Sequence, residues 1–242
     1  MKKISKSAEL LWVLGTIFIS IGVAICSKTN LGVSMIVAPN FVLHEAFSPI
    51  WSGFTPGVAE YAVQGVLLII LCITLKKFNW RYLLAFVVAV ISGYALDLVM
   101  WIMEPIAFNT LLMRWIMLIV GDVITGLGVA CFFRTYLPKK VYELFVSEIK
   151  NRFSFQLHRV KWIFDLSLLG VSIILAVTVF GDVREFDWSS IGYSSFHNIG
   201  LGTLITTFIN SPIIAMMVKL LDKIFDSSAR FPKLEKFIKT KS

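Results

Sequence analysis

The stretch GTIFISIGVAICSKTNL at 15–31 returns in altered form as GDVITGLGVACFFRTYL at 121–137. Six of the seventeen aligned positions carry the same residue, at an offset of 106. A further match, Gly65-Val66 with Gly170-Val171, follows at nearly the same offset. An ordered series of matches at one spacing indicates an internal repeat. The sequence therefore predicts two related halves, followed by a tail: residues 1–111, 112–221 and 222–242.

The composition is that of a membrane protein. Hydrophobic residues make up 57% of the 242 residues and charged residues only 16%, whereas ordinary soluble domains are roughly 45–50% apolar and about 25% charged. A hydrocarbon core of ~30 Å needs ~20 apolar residues for each helical crossing. Long apolar windows predict six crossings, near 8–27, 57–75, 82–103, 112–133, 162–180 and 199–221.

Charge alternates along the chain between these crossings. Basic residues cluster at 2–6, 76–81, 134–161 and 219–241, and the other connections carry few of them. By the positive-inside rule the basic clusters face the cytoplasm, so both termini, including the basic tail at 222–242, are predicted to be cytoplasmic. The net charge of +8 is thereby explained by topology, and no nucleic-acid partner is expected.

Each half contains three crossings, and three is odd, so the second half must enter the bilayer from the opposite side. The predicted fold is therefore all-α: a polytopic membrane protein of six transmembrane helices arranged as two inverted three-helix repeats. This architecture recurs in secondary transporters, in which two inverted halves expose a central site to each side in turn.

Two of the connections between crossings are predicted to contain structural elements of their own. Apolar residues at helical spacing predict an amphipathic helix near 138–153, lying on the inner membrane interface or acting as a lid or partner-docking helix. The stretch 30–48 is apolar but too short to cross, and Gly32 and Pro39 are expected to break it. It is predicted to be a re-entrant or interfacial element, covered by protein or lining a cavity.

Three polar residues inside the crossings are candidates for transport or ion coupling. Asp122 lies about ten residues into the fourth crossing, Asn210 lies near the middle of the sixth, and Asp97 lies in the outer third of the third. Polar groups at this depth are costly unless they face water or a partner. Each can line a cavity that couples a solute to protons or sodium, or can serve a structural contact between helices.

Two ion pairs are candidate gates, because their members correspond between the halves. Lys28 with Glu60 is predicted at the outer face, and Arg134 with Asp165 at the inner face. The repeat aligns the two bases with each other and the two acids with each other, and the inversion sends the pairs to opposite sides. The alternative is that each base anchors its helix by reaching the lipid headgroups.

Four stretches resemble the YczE/YyaS/YitT family of bacterial multipass membrane proteins, over roughly residues 10–221. The similar stretches are GVAICSKTNLGVSMIVAPNFVLHE, AEYAVQGVLLIILC with GYALDLVMW, GLGVACFFRTYLPKKVYELFVSEIK and IGLGTLITTFINSPIIAMM. The resemblance implies a bacterial plasma membrane, of a Gram-positive type, and carries no agreed activity. One departure concerns the turn after the fourth crossing, where Leu137-Pro138-Lys139-Lys140 replaces an LGxxP-like sequence.

The sequence contains no pattern typical of a catalytic, cofactor or metal site. Its three cysteines and three histidines are scattered singly, without a ligand or nucleophile spacing. We therefore expect no enzyme, no cofactor and no bound metal. Two function classes remain: a small-solute transporter or permease with a site between the repeats, and a non-transporting scaffold or regulator whose inner helix docks a partner. Convergence of Asp122, Asp97 and Asn210 on one hydrated pocket would favour the transporter.

Overall fold

The structure, a computed structural model, describes residues 8–154, 156–181, 192, 195–225 and 231. Over these residues the chain is all-helical, with one isolated bridge between Phe196 and Ile199. The helices are α1 (Ala8–Lys28), α2 (Ala38–Phe47), α3 (Pro56–Leu75), α4 (Trp80–Ile102), α5 (Leu111–Phe133), α6 (Val141–Phe153), α7 (Leu157–Phe180) and α8 (Leu201–Ile224).

The six long helices are long and apolar enough to cross a membrane. They coincide with the six predicted crossings to within a few residues, so the predicted fold class is confirmed. The acidic connection around Arg184 and nearly all of the tail at 222–242 lie outside the described residues.

Helices α1 and α5 form the closest helix pair, and glycine makes it possible. The two helices run antiparallel, because Gly22 meets Gly121 and Gly15 meets Gly128. A Cβ at Gly22 would lie 2.5 Å from the Gly121 carbonyl oxygen, so a side chain has no room there. Small residues let helix backbones approach in this way inside membranes. The repeated stretches of the sequence are thus the pair of helices at the centre of the fold.

Contacts between helix ends define two ends of the bundle. The first, the basic end, contains the beginning of α1 and the end of α5, where Arg134 pairs with Asp222 of α8. At the opposite end, Lys28 Nζ donates a hydrogen bond to the Glu104 carbonyl oxygen at 3.0 Å, which brings the ends of α1 and α4 together. The long helices therefore alternate in direction along the chain.

Helix α2 follows a non-helical segment that leaves the end of α1. Gly32 adopts a φ of +115° in this segment, a conformation that other residues rarely adopt. Pro39 occupies the first turn of α2, where no N–H is needed, and therefore marks the start of the short helix. Helix α2 occupies the second half of the stretch 30–48, and Ala38, Pro39 and Asn40 at its start are buried.

Helix α6, predicted near 138–153, packs against the bundle at its beginning. Its first residues, Val141 and Tyr142, and also Val146, are buried in an apolar cluster contributed by α3, α4, α6 and α7. One apolar face at helical spacing suits a helix on a lipid surface and a helix packed into a bundle equally well. Periodicity alone therefore could not distinguish the two positions.

Candidate functional site

A cluster of five buried polar side chains lies where α2 and α6 begin beside α3. The members of this central polar cluster are Asn40, Glu60, Gln64, Lys140 and Tyr142, and each is at most 6% exposed. Asn40 lies in the first turn of α2 and Tyr142 in that of α6, Lys140 is the residue before α6, and Glu60 and Gln64 belong to α3. The cluster thus joins both halves of the chain.

The depth of the cluster follows from its contacts with α3. The Val141 N–H donates to Gln64 Oε1 at 3.0 Å, and Gln64 is the ninth residue of the 20-residue helix α3. At 1.5 Å per residue, Gln64 lies ~12 Å along a helix of ~30 Å. Helix α6 therefore begins about halfway between the two ends of the bundle.

An ion pair forms the core of the cluster. Lys140 Nζ lies 2.7 Å from Glu60 Oε1, and both side chains are buried. The same carboxylate oxygen accepts a hydrogen bond of 3.2 Å from Gln64 Nε2. Because charge-assisted hydrogen bonds strengthen in surroundings of low dielectric, this pair holds the start of α6 firmly against α3.

A neutral contact links α6 to α2. The Tyr142 hydroxyl donates to Asn40 Oδ1 at 3.2 Å. Asn40 is fully buried, and its Nδ2 has no hydrogen-bond partner. A buried amide with unused donors is uncommon in proteins, because burial of an unpaired polar group costs ~1–3 kcal/mol. The unused donors lie at the meeting point of the two short helices.

The predicted gate pairs are not formed, although all four of their members lie in the described residues. Lys28 bonds to the Glu104 carbonyl oxygen, whereas Glu60 pairs with Lys140. Arg134 pairs with Asp222, and Asp165 pairs with Lys161 at 3.0 Å. The Glu60 side chain is buried in the bundle, where it pairs with Lys140, the residue before α6, instead of with Lys28. This pairing is the correction that the structure makes to the prediction.

Two of the three candidate coupling residues are brought together. Asn210 Nδ2 of α8 donates to Asp122 Oδ1 of α5 at 2.9 Å. Asp122 is only 2% exposed, and its second oxygen, Oδ2, has no hydrogen-bond partner. Asp122 is thus a buried carboxyl group whose described contacts include one neutral donor, Asn210, and no cation.

Asp97 occupies a different place and serves a different purpose. It accepts hydrogen bonds from the Thr55 hydroxyl at 2.6 Å and from the Gly57 N–H at 2.7 Å. These groups form the start of α3, where the positive end of the helix dipole stabilises the Asp97 carboxylate. The three candidates therefore do not converge on one pocket, since Asp97 caps α3 while Asp122 and Asn210 join α5 to α8.

A third set of polar contacts holds the end of α2. Glu45 accepts hydrogen bonds from Asn198 and from His197 Nδ1, the latter at 2.6 Å, and the His197 ring stacks on Phe180 of α7. These contacts tie the end of α2 to α7 and to the residues before α8. Both ends of the short helix are thereby held.

The sequence identified only one member of the central polar cluster, Glu60, and gave it a different partner. Lys140 was part of a basic group interpreted as a topology signal, and Asn40 lay in the short apolar element. Two signals were available: a lysine immediately before an amphipathic helix, and an asparagine after Pro39 in an element too short to cross. Among the described residues, no group of three His, Cys, Asp or Glu side chains is placed to hold a metal ion.

Comparison with known proteins assigns the chain to a family whose function is unknown. None of the curated proteins and none of the solved structures compared with the chain matches it. Residues 6–219 match a family of unknown function, DUF6198. This match covers both halves and every element that contributes to the central polar cluster. The chain, an integral membrane protein by its six long apolar helices, therefore belongs to the family DUF6198.

Proposed function

We propose that this protein is a small-solute transporter whose site is the central polar cluster. The observation that carries the proposal is the buried ion pair between Lys140 and Glu60, at the point where two short helices begin inside the bundle. Charged side chains at this depth are expensive, and they mark solute or ion pathways by default. A purely structural contact between these helices is achieved at lower cost by apolar side chains.

The form of the short helices supports the same proposal. Transporters commonly bind their substrates near the bilayer midplane, at helices that start or break there, since helix ends supply polar backbone groups. Helix α2 ends among residues near α7's last turn, at the opposite end of the bundle. Helix α6 begins about halfway along α3 and is followed by α7 at the basic end.

An inverted repeat accounts for this arrangement. In each half a long helix, a short helix and two long helices follow in that order, and α1 runs antiparallel to its sequence counterpart α5. We extend the proposal accordingly: the halves are inverted repeats, both termini are cytoplasmic, and the membrane is a bacterial plasma membrane. Kinship with the YczE/YyaS/YitT proteins is part of this proposal.

The two halves differ in one respect that transport would explain. Helix α3 packs closely on α4, and a Cβ at Gly65 would lie 3.2 Å from the Phe86 ring. Its counterpart Gly170 on α7 has no atom within 4 Å of such a Cβ. In alternating access the two halves exchange conformations, so that the site opens to one side and then to the other. In any single state of this cycle, the two halves are therefore expected to differ in packing.

One observation favours the scaffold alternative, because Asp97 lies apart from Asp122 and Asn210 and the three do not converge on one pocket. The scaffold also requires the helix near 138–153 to dock a partner, and Val141, Tyr142 and Val146 of this helix are already buried in the bundle. We also propose that the protein is not an enzyme, since its cysteines and histidines are scattered singly through the sequence, without a ligand or nucleophile spacing.

Uptake by proteoliposomes tests the proposal. Vesicles containing the full chain are screened with labelled small solutes of anionic, cationic, zwitterionic and neutral classes, with and without proton and sodium gradients. We expect uptake of at least one class, and its loss in Lys140→Met. Lys139→Met is the matched control, because the Lys139 ammonium lies over the Phe133 ring, 4.9 Å from its centroid, and outside the cluster. Equal uptake by the two variants would contradict this site.

A further inference from the structure

We infer that the central polar cluster binds a small monoanion through Lys140 and Asn40, and that protonation of Glu60 releases Lys140 for this anion. The inference deepens the proposed function by naming the substrate class of the same site and the ion coupled to it. It rests on the unused donors of the cluster, on the competition between two anionic groups for one lysine, and on the ends of two helices.

In the first turn of α6 one acceptor lacks a partner, the buried oxygen Oε2 of Glu143, whereas within the central polar cluster the groups without partners are donors. A lysine ammonium has three N–H donors, and the hydrogen bond to Glu60 uses one of them. Asn40 Nδ2 adds two further donors without partners. The two amide oxygens of the cluster, in contrast, are engaged: Gln64 Oε1 accepts from the Val141 N–H and Asn40 Oδ1 accepts from the Tyr142 hydroxyl. A ligand that completes this set must accept hydrogen bonds.

The two short helices add to the preference for an anion. Asn40 belongs to the first turn of α2, and Val141 begins α6. A helix start carries a partial positive charge, so two helices that begin at one place both favour negative charge there. The 0% exposure of Asn40 and the 6% exposure of Lys140 keep water from weakening this effect.

Glu60 occupies the position of the anion in the observed state. Its carboxylate accepts the Lys140 hydrogen bond at 2.7 Å and so neutralises the only cation of the cluster. A proton from the aqueous side, added to a carboxylate oxygen of Glu60, removes the negative charge and breaks the ion pair. The ammonium then pairs with the incoming anion. One proton and one monoanion enter together, and the net charge of the cluster is unchanged.

The groups around Glu60 permit this exchange. Tyr142 of α6 lies near Glu60, and the Glu143 carboxylate of the same helix lies near Lys140, so neither residue adds a second cation. On α4, the Asp97 carboxylate is engaged with Thr55 and Gly57. Helix α2 contributes Asn40, which does not titrate. Glu60 therefore competes with a bound anion for a single lysine.

Thermal unfolding of the purified full chain in detergent tests the inference without a known solute. The variant Glu60→Gln leaves Lys140 without its carboxylate, so a monoanion should take that place. We expect sodium acetate, nitrate or chloride to raise the unfolding temperature by about 5 °C, the size expected for a ligand well above its Kd. The double variant Glu60→Gln with Lys140→Met lacks the ammonium and reports the non-specific effect of each salt. Adding Lys139→Met to Glu60→Gln is the matched control, and it should keep the shift.

The wild-type chain provides a second measurement if Glu60→Gln does not fold. If an anion and a proton enter the cluster together, the same anions should stabilise the wild type more at low pH than at high pH. Lys140→Met should abolish the difference. Equal shifts in Glu60→Gln and the double variant for all three anions would overturn the inference. Stabilisation by ammonium or by zwitterionic glycine, with none by the monoanions, would overturn it as well.

Failure of the inference and failure of the proposed function give different results. If the protein binds monoanions through Lys140 but moves no solute into vesicles, the anion site is supported and the transport proposal is overturned. Uptake of a neutral or cationic solute that requires Lys140, without any monoanion-dependent shift, retains transport and overturns the anion site.

Discussion

At the scale of single residues, Lys139 and Lys140 show how position in the fold decides the role of a side chain. They are adjacent lysines, yet Lys139 lies over the Phe133 ring while Lys140 is buried against Glu60. Removal of one partner from a buried ion pair leaves an uncompensated charge in an apolar interior. The two lysines should therefore differ sharply in their sensitivity to substitution.

The first prediction concerns the stability of this pair. Lys140→Met should lower the free energy of unfolding by ~3–5 kcal/mol, because Glu60 is then buried without a counter-charge. Glu60→Gln combined with Lys140→Met should recover most of that loss and still abolish uptake. Chemical unfolding in detergent, with Lys139→Met as the control, measures both effects. A double variant no more stable than Lys140→Met would argue against the pair as the cause.

The second prediction concerns Asp122. Asp122→Asn preserves the size of the side chain and a hydrogen bond to Asn210, so the protein should remain folded. Any dependence of uptake on protons or sodium should change, because the substitution removes the buried carboxyl group whose Oδ2 has no partner. Uptake is measured with each gradient in turn. A wild-type response to both gradients would show that Asp122 has only a structural role.

At the scale of helices, the contact between α1 and α5 depends on glycine. A Cβ at Gly22 would lie 2.2 Å from Thr125 Oγ1 and 2.5 Å from the Gly121 carbonyl oxygen. Backbone cannot yield as a flexible side chain does, so the two helices must separate to admit even a methyl group. The repeated stretches of sequence thus preserve a close helix contact as well as a transmembrane pattern.

The third prediction follows from this contact. Gly22→Ala should destabilise the protein by about 1–3 kcal/mol through overpacking. Gly170→Ala is the matched control in another long helix, since a Cβ there meets no atom within 4 Å. It should be neutral or slightly stabilising, because alanine favours helix more than glycine does. Comparable losses of unfolding temperature in both variants would mean that helix propensity, not the α1–α5 contact, sets the effect.

At the scale of the whole molecule, the long helices alternate in direction and the basic connections gather at one end. The ends of α1 and α4 meet at Lys28 and Glu104, and the ends of α5 and α8 meet at Arg134 and Asp222. The positive-inside rule assigns the basic end to the cytoplasm.

The fourth prediction tests that assignment. Single cysteines are introduced at positions 79, 150 and 184 in a chain whose native Cys26, Cys72 and Cys131 are replaced. A membrane-impermeant thiol reagent added to intact cells should label position 184 and neither of the other two. All three positions should react after the membrane is permeabilised, which controls for buried or unreactive sites. Labelling at 79 and 150 with none at 184 would reverse the topology.

The sequence by itself determined the fold class. Six apolar windows of crossing length, a short element at 30–48 and an amphipathic helix near 138–153 are local patterns, and each appears as a helix in the structure. Burial in a membrane is set by the number of consecutive apolar residues, so a short window of sequence is enough to detect it. The alignment of 15–31 with 121–137 likewise identified the two helices that pack most closely.

Only the tertiary structure decided which polar groups meet. Glu60 and Lys140 are 80 residues apart, and Lys28 was an equally good partner for Glu60 by charge and by repeat. An amphipathic pattern fits a lipid surface and a bundle interior alike, so the depth of α6 was open until its packing on α3 was known. Partner choice depends on distances of a few ångströms between helices remote in the chain, and neither periodicity nor charge pattern contains that information.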